Sequence, residues 1–175
     1  KAGVDYVELG YRVDNAMFSP DQYGPWRFCD EEDLREVAWE SPTKISIVCD
    51  VGRTDYDAIL PAEESIVSLI RVATYVKDID KAIDLATRVK DLGYEVSVNI
   101  MAVSKESEFA LVEALDQLAK TEANVVVVVD SYGALYCEQI EYLVKLYREH
   151  LPGKEVGVHT HNNQQLAFSN TIEGI

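Results

Sequence analysis

The stretch VGVHTHNN (Val156–Asn163) holds the residues best suited to chemistry. In an extended strand, residues i and i+2 project from one face, so His159 and His161 lie side by side while Thr160 points away. Two imidazoles held this way can chelate one divalent ion and leave room for a carboxylate and water. The plainer alternative is a core or loop histidine that happens to neighbour another. The pairing, with two amides directly after it, favours the metal site. His150 ends a helical stretch and faces the negative pole of that helix, so it is assigned no function.

Other polar residues stand at or near the ends of apolar runs. Glu8 lies inside VDYVELGY, two residues before Gly10. A carboxylate buried there needs a cation, a metal-bound water or a hydroxyl, and an ion pair with Arg12 or Arg71 satisfies it nearly as well. Asn99 sits near the end of EVSVNIM, and Asp130 and Ser131 follow five valines. For Asp130, a turn or N-cap role closing the loop SYGAL competes at least evenly with a chemical one. No P-loop, GxGxxG, GxSxG or HExxH motif is present. Cys29, Cys49 and Cys137 are scattered, form neither metal spacing nor a disulfide framework, and have no arranged histidine partner. A thiol nucleophile gains no support, and this cysteine usage suits a reducing compartment.

These residues must be positioned by the elements between them. Apolar runs of strand length recur: Val4–Tyr11, Lys44–Asp50, Leu69–Val76, Glu95–Met101, Asn124–Asp130 and Glu155–His161. Most are nearly continuous in Val and Ile, as in strands buried on both faces of a parallel sheet. The segments between them read as helices. Asp78 caps Ile79–Leu92, which Gly93 stops. Ser104 caps a second, with Phe109, Val112, Leu115 and Ala119 on one stripe. A third runs from Glu138 to His150 with Ile140, Leu143, Val144 and Tyr147 inward, ended by Pro152 and Gly153. Alternating helices and buried strands define an α/β fold with right-handed crossovers.

Two architectures fit: an open doubly wound sheet, with Asp50 and Asp130 clustered at strand ends around a metal or phosphate, and a (β/α)8 TIM barrel. A barrel typically takes about 250 residues, and this chain has 175. The opening KAGVDYVELG reads as a last helical turn, a glycine stop and a strand; the closing QLAFSNTIEGI reads as a helix. The expectation is therefore that residues 1–175 form the central part of one TIM-barrel domain, about six of eight strands, with the first and last βα units missing. The aromatic-rich insertion Val13–Leu34 leaves from the face where a barrel's site lies, so it either shapes a pocket or packs as a surface or oligomer contact.

Composition narrows the partners. Sixteen Lys and Arg stand against 31 Asp and Glu, for a formal charge of −15, and 47% of residues are apolar. An acidic chain with no basic cluster is a poor ligand for nucleic acid or an anionic membrane. The longest unbroken apolar runs are too short to span a bilayer, and no secretory h-region opens the chain, so the expected location is cytoplasmic.

The run HTHNNQQLAFSNTIEG (His159–Gly174) resembles the HxHN-x-x-x-LA-x-x-N-[ST] signature of the metal-dependent aldolase and acyltransferase barrels, which include HMG-CoA lyase, isopropylmalate synthase and 4-hydroxy-2-oxovalerate aldolase. IRVATYV (Ile70–Val76) and VVDSYGAL (Val128–Leu135) resemble the RVAT and DSGGA segments of the 4-hydroxy-2-oxovalerate aldolase branch. The resemblance implies a TIM barrel and a divalent cation (Mn, Mg, Co or Zn) held by His159, His161 and an aspartate of an RDG-type motif expected before residue 1. It implies Glu8 and Ser131 as catalytic residues, and Asn162 and Asn170 as site residues. With Asn99 from its strand-end position, these asparagines are the candidate substrate-binding residues. Two departures stand out: Tyr132 replaces a glycine of DSGGA, and Asn163-Gln164-Gln165 replace the Asp-Leu-Gly usual in the acyltransferase branch. The implied reaction is cleavage of a 4-hydroxy-2-oxo acid to pyruvate and an aldehyde through a metal-stabilised enolate. The alternatives are acyl-CoA-dependent Claisen condensation or HMG-CoA lyase-type chemistry and, from another class, a non-catalytic scaffold or regulatory domain. The implied partners are a small 2-oxo acid, with a homo-oligomer or an aldehyde dehydrogenase as candidate protein partners.

Overall fold

Runs rich in β-branched residues become six strands: β1 (Tyr6–Tyr11), β2 (Lys44–Asp50), β3 (Val67–Thr74), β4 (Glu95–Ile100), β5 (Val125–Asp130) and β6 (Glu155–Thr160). The structure is a computed structural model that describes residues 3–38 and 42–175. The final helical turn expected at residues 1 and 2 lies outside the described residues. All neighbours are parallel, and the strands pair in strict chain order, β1-β2-β3-β4-β5-β6. A doubly wound sheet reverses its order at a switch point, whereas a barrel adds each strand beside the last. The observed order therefore removes the open-sheet alternative. The six strands form a curled half-barrel, as expected of a partial (β/α)8 barrel.

The connecting helices are α1 (Glu31–Ala38), α2 (Ile79–Asp91), α3 (Glu108–Leu118), α4 (Cys137–His150) and α5 (Ala167–Glu173). Ile45, Ile47 and Cys49 of β2, Ile70 and Val72 of β3, and Val96, Val98 and Ile100 of β4 are buried in one core with Leu85 and Val89 of α2, Leu115 and Leu118 of α3, and Ile140 and Tyr147 of α4. At about 25 cal/mol per Å² of apolar surface removed from water, this sheet–helix layer is the main source of stability. Among the described residues, no helix is long and apolar enough to cross a membrane.

The strands are not apolar on both faces, contrary to the expectation from their Val and Ile content. Alternate residues present a polar inner face: Lys44 and Asp50, Arg71, Glu95, Ser97 and Asn99 all line the concave side. At the strand amino ends Tyr6 donates to Glu95, and Lys44 Nζ lies 2.6 Å from Glu95 Oε1 and 3.2 Å from the Tyr6 hydroxyl. The Lys44 ammonium, with the Tyr6 hydroxyl, holds the Glu95 carboxyl below the usual carboxylate range. That end of a barrel is associated with stability rather than chemistry.

Two helix starts differ from expectation. Asp78 stands at the N-cap of α2 without a capping bond, because its carboxylate is engaged by Lys81 at 2.8 Å. Ser104 falls in a short 3-10 turn, and Ser107 caps α3 instead, its Oγ accepting from Ala110 N at 3.2 Å. The buried stripe of α3 is Leu111, Ala114, Leu115 and Leu118, while Phe109 stays 73% exposed. That face buries three leucines, a larger apolar volume than the stripe through Phe109 offers.

The Val13–Leu34 insertion packs against β1 and β2. Arg12 N donates to Val48 O and Asp14 N to Arg53 O, both at 2.8 Å. Its own Phe28, Cys29 and Leu34 are buried against the body of the domain. Gly10 permits this approach, since a Cβ there would lie 2.1 Å from the Trp26 carbonyl oxygen.

Candidate functional site

At the carboxyl ends of the strands a cavity of about 460 Å³ is lined by Glu8, Arg71, Asn99, Ser131, His159 and His161 among others. A larger hollow of about 1410 Å³ continues along the inner face toward the amino ends and shares Arg71, Asn99 and His159. The smaller one holds both histidines and lies where barrel loops build sites.

His159 is in β6 and His161 follows its end, so period 2 brings both rings to one side. Their centroids are 4.8 Å apart, with the planes stacked at 29°. His161 Nδ1 lies 2.8 Å from the Asp130 carbonyl oxygen. A carbonyl only accepts, so Nδ1 is the donor and Nε2 is the nitrogen left to face an ion, the arrangement that orients imidazole ligands in metal sites. His159 Nδ1 lies 3.4 Å from Arg71 Nη2. A guanidinium only donates, so here Nδ1 is the acceptor, and an ion binding this nitrogen must outcompete a long, weak contact. Burial, then the Arg71 and His161 charges, push His159 below the usual imidazole range, which keeps the ring neutral. A neutral His159 ring suits a divalent ion. Among the described residues no third His, Cys, Asp or Glu joins His159 and His161 to complete a three-ligand group.

Arg71 is the hub of this cluster. It pairs with Glu8, and its Nη2 donates to Asn99 Oδ1 at 3.1 Å as well as approaching His159. Glu8 is thus paired with Arg71, one of the two arginines expected for it, and its side chain keeps about a third of its exposure, 34%, on the open face. Asn99 is buried, its Nδ2 donating to Ser97 Oγ at 3.1 Å. Ser131 Oγ accepts from Ala102 N at 2.8 Å, holding Ala102 in a left-handed conformation at φ +57°. The Ser131 hydroxyl proton is not used in that bond.

Two of the candidate asparagines stand away from the cavity lining, and Asp130 takes one of the two roles open to it. The Asn162 side chain turns to its own loop, Oδ1 accepting from Ala167 N at 3.1 Å, and does not line the cavity. Asn170 is buried behind the sheet, donating to Leu135 O at 2.8 Å and accepting from Cys137 Sγ. Its place on α5 puts it in the outer layer, where it ties that helix to the loop before α4. Asp130 is fully buried, and its two carboxylate oxygens accept from Ala134 N and Leu135 N at 3.1 Å each, which is the turn role. Replacing Asp130 by alanine orphans both amides and is expected to cost roughly 2–4 kcal/mol in urea unfolding; a cost under about 0.5 kcal/mol would rule out this role. Burial pushes the Cys29 thiol up to about 11 and Cys49 up to about 12, so neither is a nucleophile at neutral pH.

Sequence reasoning missed the centrality of Arg71 and any part for Arg27. The signal for the first was a lone arginine inside an apolar strand. For the second there was none, since only folding of the insertion returns Arg27 to the cavity.

A family model described as HMGL-like matches residues 1–175. The chain is 33% identical over 177 residues to a 4-hydroxy-2-oxovalerate aldolase of Geobacillus thermodenitrificans, covering 100% of this chain and 51% of that protein. A homologue of the same name from Thermus thermophilus is 30% identical, with 100% and 50% covered. The chain thus spans about half the length of the curated relatives it matches. Among solved structures, the N-terminal domain of a protein described as an aldolase from Bacteroides vulgatus superposes with a TM-score of 0.76 at 30% identity, covering 97% of this chain and 56% of that one. The HMG-CoA lyase of Brucella melitensis superposes with a TM-score of 0.70 at 15% identity, covering 98% and 64%, a likeness of fold.

Proposed function

This chain belongs to the HMGL-like family, and from that premise we propose that the protein is a divalent-metal-dependent carbon–carbon lyase that cleaves a 4-hydroxy-2-oxo acid to pyruvate and an aldehyde. The observation that carries this reading is the stacked His159–His161 pair at the strand carboxyl ends, beside Arg71, Glu8 and Asn99. In this reading residues 1–175 supply central strands of one (β/α)8 domain, and an aspartate from a strand outside them completes the ligand set.

His159 and His161 would hold the cation. When bound, it lowers the cost of negative charge building on the keto oxygen as the bond breaks, a stabilisation of several kcal/mol. The protein's own groups do the rest. The Asp130 carbonyl fixes the His161 ring. Asn99, held by Ser97 and Arg71, offers its amide to the carboxyl end of the substrate. Ser131, accepting from Ala102 N, keeps its O–H to donate to a substrate oxygen. Glu8, paired with Arg71, is the carboxylate within reach of the same cavity for moving a proton.

The test is metal analysis of the full-length protein together with a pyruvate-release assay on a panel of 4-hydroxy-2-oxo acids. Bound metal with stoichiometric pyruvate and aldehyde supports the lyase. Bound metal without pyruvate overturns this reaction in favour of acyl-CoA condensation. A protein that neither binds metal nor releases pyruvate is a scaffold.

A further inference from the structure

Four of the chain's 16 lysines and arginines line the cavity that holds the histidine pair: Arg27, Arg53, Arg71 and Lys77. In a chain of formal charge −15 this concentration calls for an explanation. The three carboxylates lining the same cavity are already matched: Glu8 with Arg71, Asp50 with Arg53 at 3.1 Å, and Asp78 with Lys81 at 2.8 Å. Arg27 and Lys77 remain, and neither is in an ion pair among the described residues. The protein side of the cavity therefore carries uncompensated positive charge.

Arg27 is the better placed of the two. Its guanidinium lies 4.6 Å from the Phe18 ring centroid, 5.2 Å from Tyr11 and 5.5 Å from Tyr23. Phe18 and Tyr23 meet edge to face at 5.7 Å, which stiffens the cage. Its Nε is buried and has no hydrogen-bond partner among the described residues. Aromatic faces stabilise a cation without neutralising it. A caged guanidinium with unspent donors is thus a preorganised receptor for a planar or tetrahedral anion. Lys77, at 5.8 Å over the Tyr75 ring on the same cavity wall, adds a second charge.

We propose that Arg27 receives a second anionic group of the substrate, so that the cavity takes a 2-oxo acid charged at both ends. This rests on the reading above, in which the histidine pair takes the 2-oxo acid end. The insertion that leaves β1 then sets specificity. The distal group is a carboxylate or a phosphoryl, which share this receptor chemistry.

The experiment is isothermal titration of the full-length holoprotein with 2-oxovalerate, 2-oxoglutarate and 2-oxo-4-phosphonobutyrate, for wild type, Arg27→Gln and Arg27→Lys. Wild type is expected to bind at least one of the doubly charged acids about tenfold or more tighter than 2-oxovalerate, that ratio falling toward one in Arg27→Gln and surviving in part in Arg27→Lys. Whichever doubly charged acid binds tighter names the distal group. A misfolded loop would weaken all three ligands together, so the ratio separates recognition from structure. Equal binding of charged and uncharged acids by the wild type, no binding of any, or a ratio unchanged in Arg27→Gln overturns the proposal. Arg27-dependent binding without pyruvate release from any 4-hydroxy-2-oxo acid leaves it standing and overturns the lyase alone.

Discussion

A His161→Ala variant of the full-length protein is expected to lose at least about a thousandfold in kcat and most of its bound metal. One tenfold step in rate is about 1.4 kcal/mol, and a Lewis-acid contribution of several kcal/mol disappears with its ligand. The fold is expected to survive, because His161 is exposed and its ring makes one hydrogen bond, to the Asp130 carbonyl. That backbone oxygen can turn to water when the ring is gone, at a cost of about 1 kcal/mol. The measurement pairs metal content and kcat with a thermal melt. Loss of activity with a Tm within a few degrees of wild type supports a ligand role. Activity and metal both retained within tenfold would remove His161 from the site.

Gly133→Ala is expected to cost about 1–3 kcal/mol of stability and about a hundredfold in activity. Gly133 has a φ of +55°, in a region where a Cβ costs about 1–2 kcal/mol. The added carbon would also lie 2.8 Å from Asn163 N, Asn163 Oδ1 and the His161 carbonyl oxygen. Two of those three atoms are backbone, so the loop carrying His161 must move, and displacements of about 1 Å at a site cost about a hundredfold. Gly153→Ala is the control. Gly153 also has positive φ, +83°, but its Cβ would meet nothing within 4 Å. It should lose stability through strain alone and keep its activity. Equal kinetics in the two variants would show that Gly133 is only a turn residue. The pair also explains the tolerance for Tyr132, 45% exposed, where the related DSGGA segment has glycine: of the two positions, the second is the one pressed against the histidine loop.

Legible in the chain alone were the six strands, the helices α2 to α5 and the one site feature built within a single run. Not legible were α1 and the β2–β3 connection, which holds only 3-10 turns at Tyr56–Ala58 and Ala62–Glu64. Helix and strand periods act over a few residues, so the runs of Val and Ile, the stripe of α2 and the i, i+2 placement of His159 and His161 could be read in one dimension. The polar inner face was legible too, in Lys44, Ser46 and Asp50 on one face of β2 and in Glu95, Ser97 and Asn99 on one face of β4, but the abundance of valine masked it. Folding in three dimensions settled what joins residues distant in the chain. Arg71 meets Glu8, 63 positions away, and His159, 88 positions away, because β1, β3 and β6 curl around one concave face. The same curl places Asn170 behind the sheet, where it meets Leu135, 35 positions away. Arg27 reaches the cavity only because Gly10 lets the insertion lie against β1. Spacing along the chain carries no record of such contacts, since strand order and sheet curvature set them. Short-range periodicity thus specified the histidine pair, and long-range packing specified the charges that surround it.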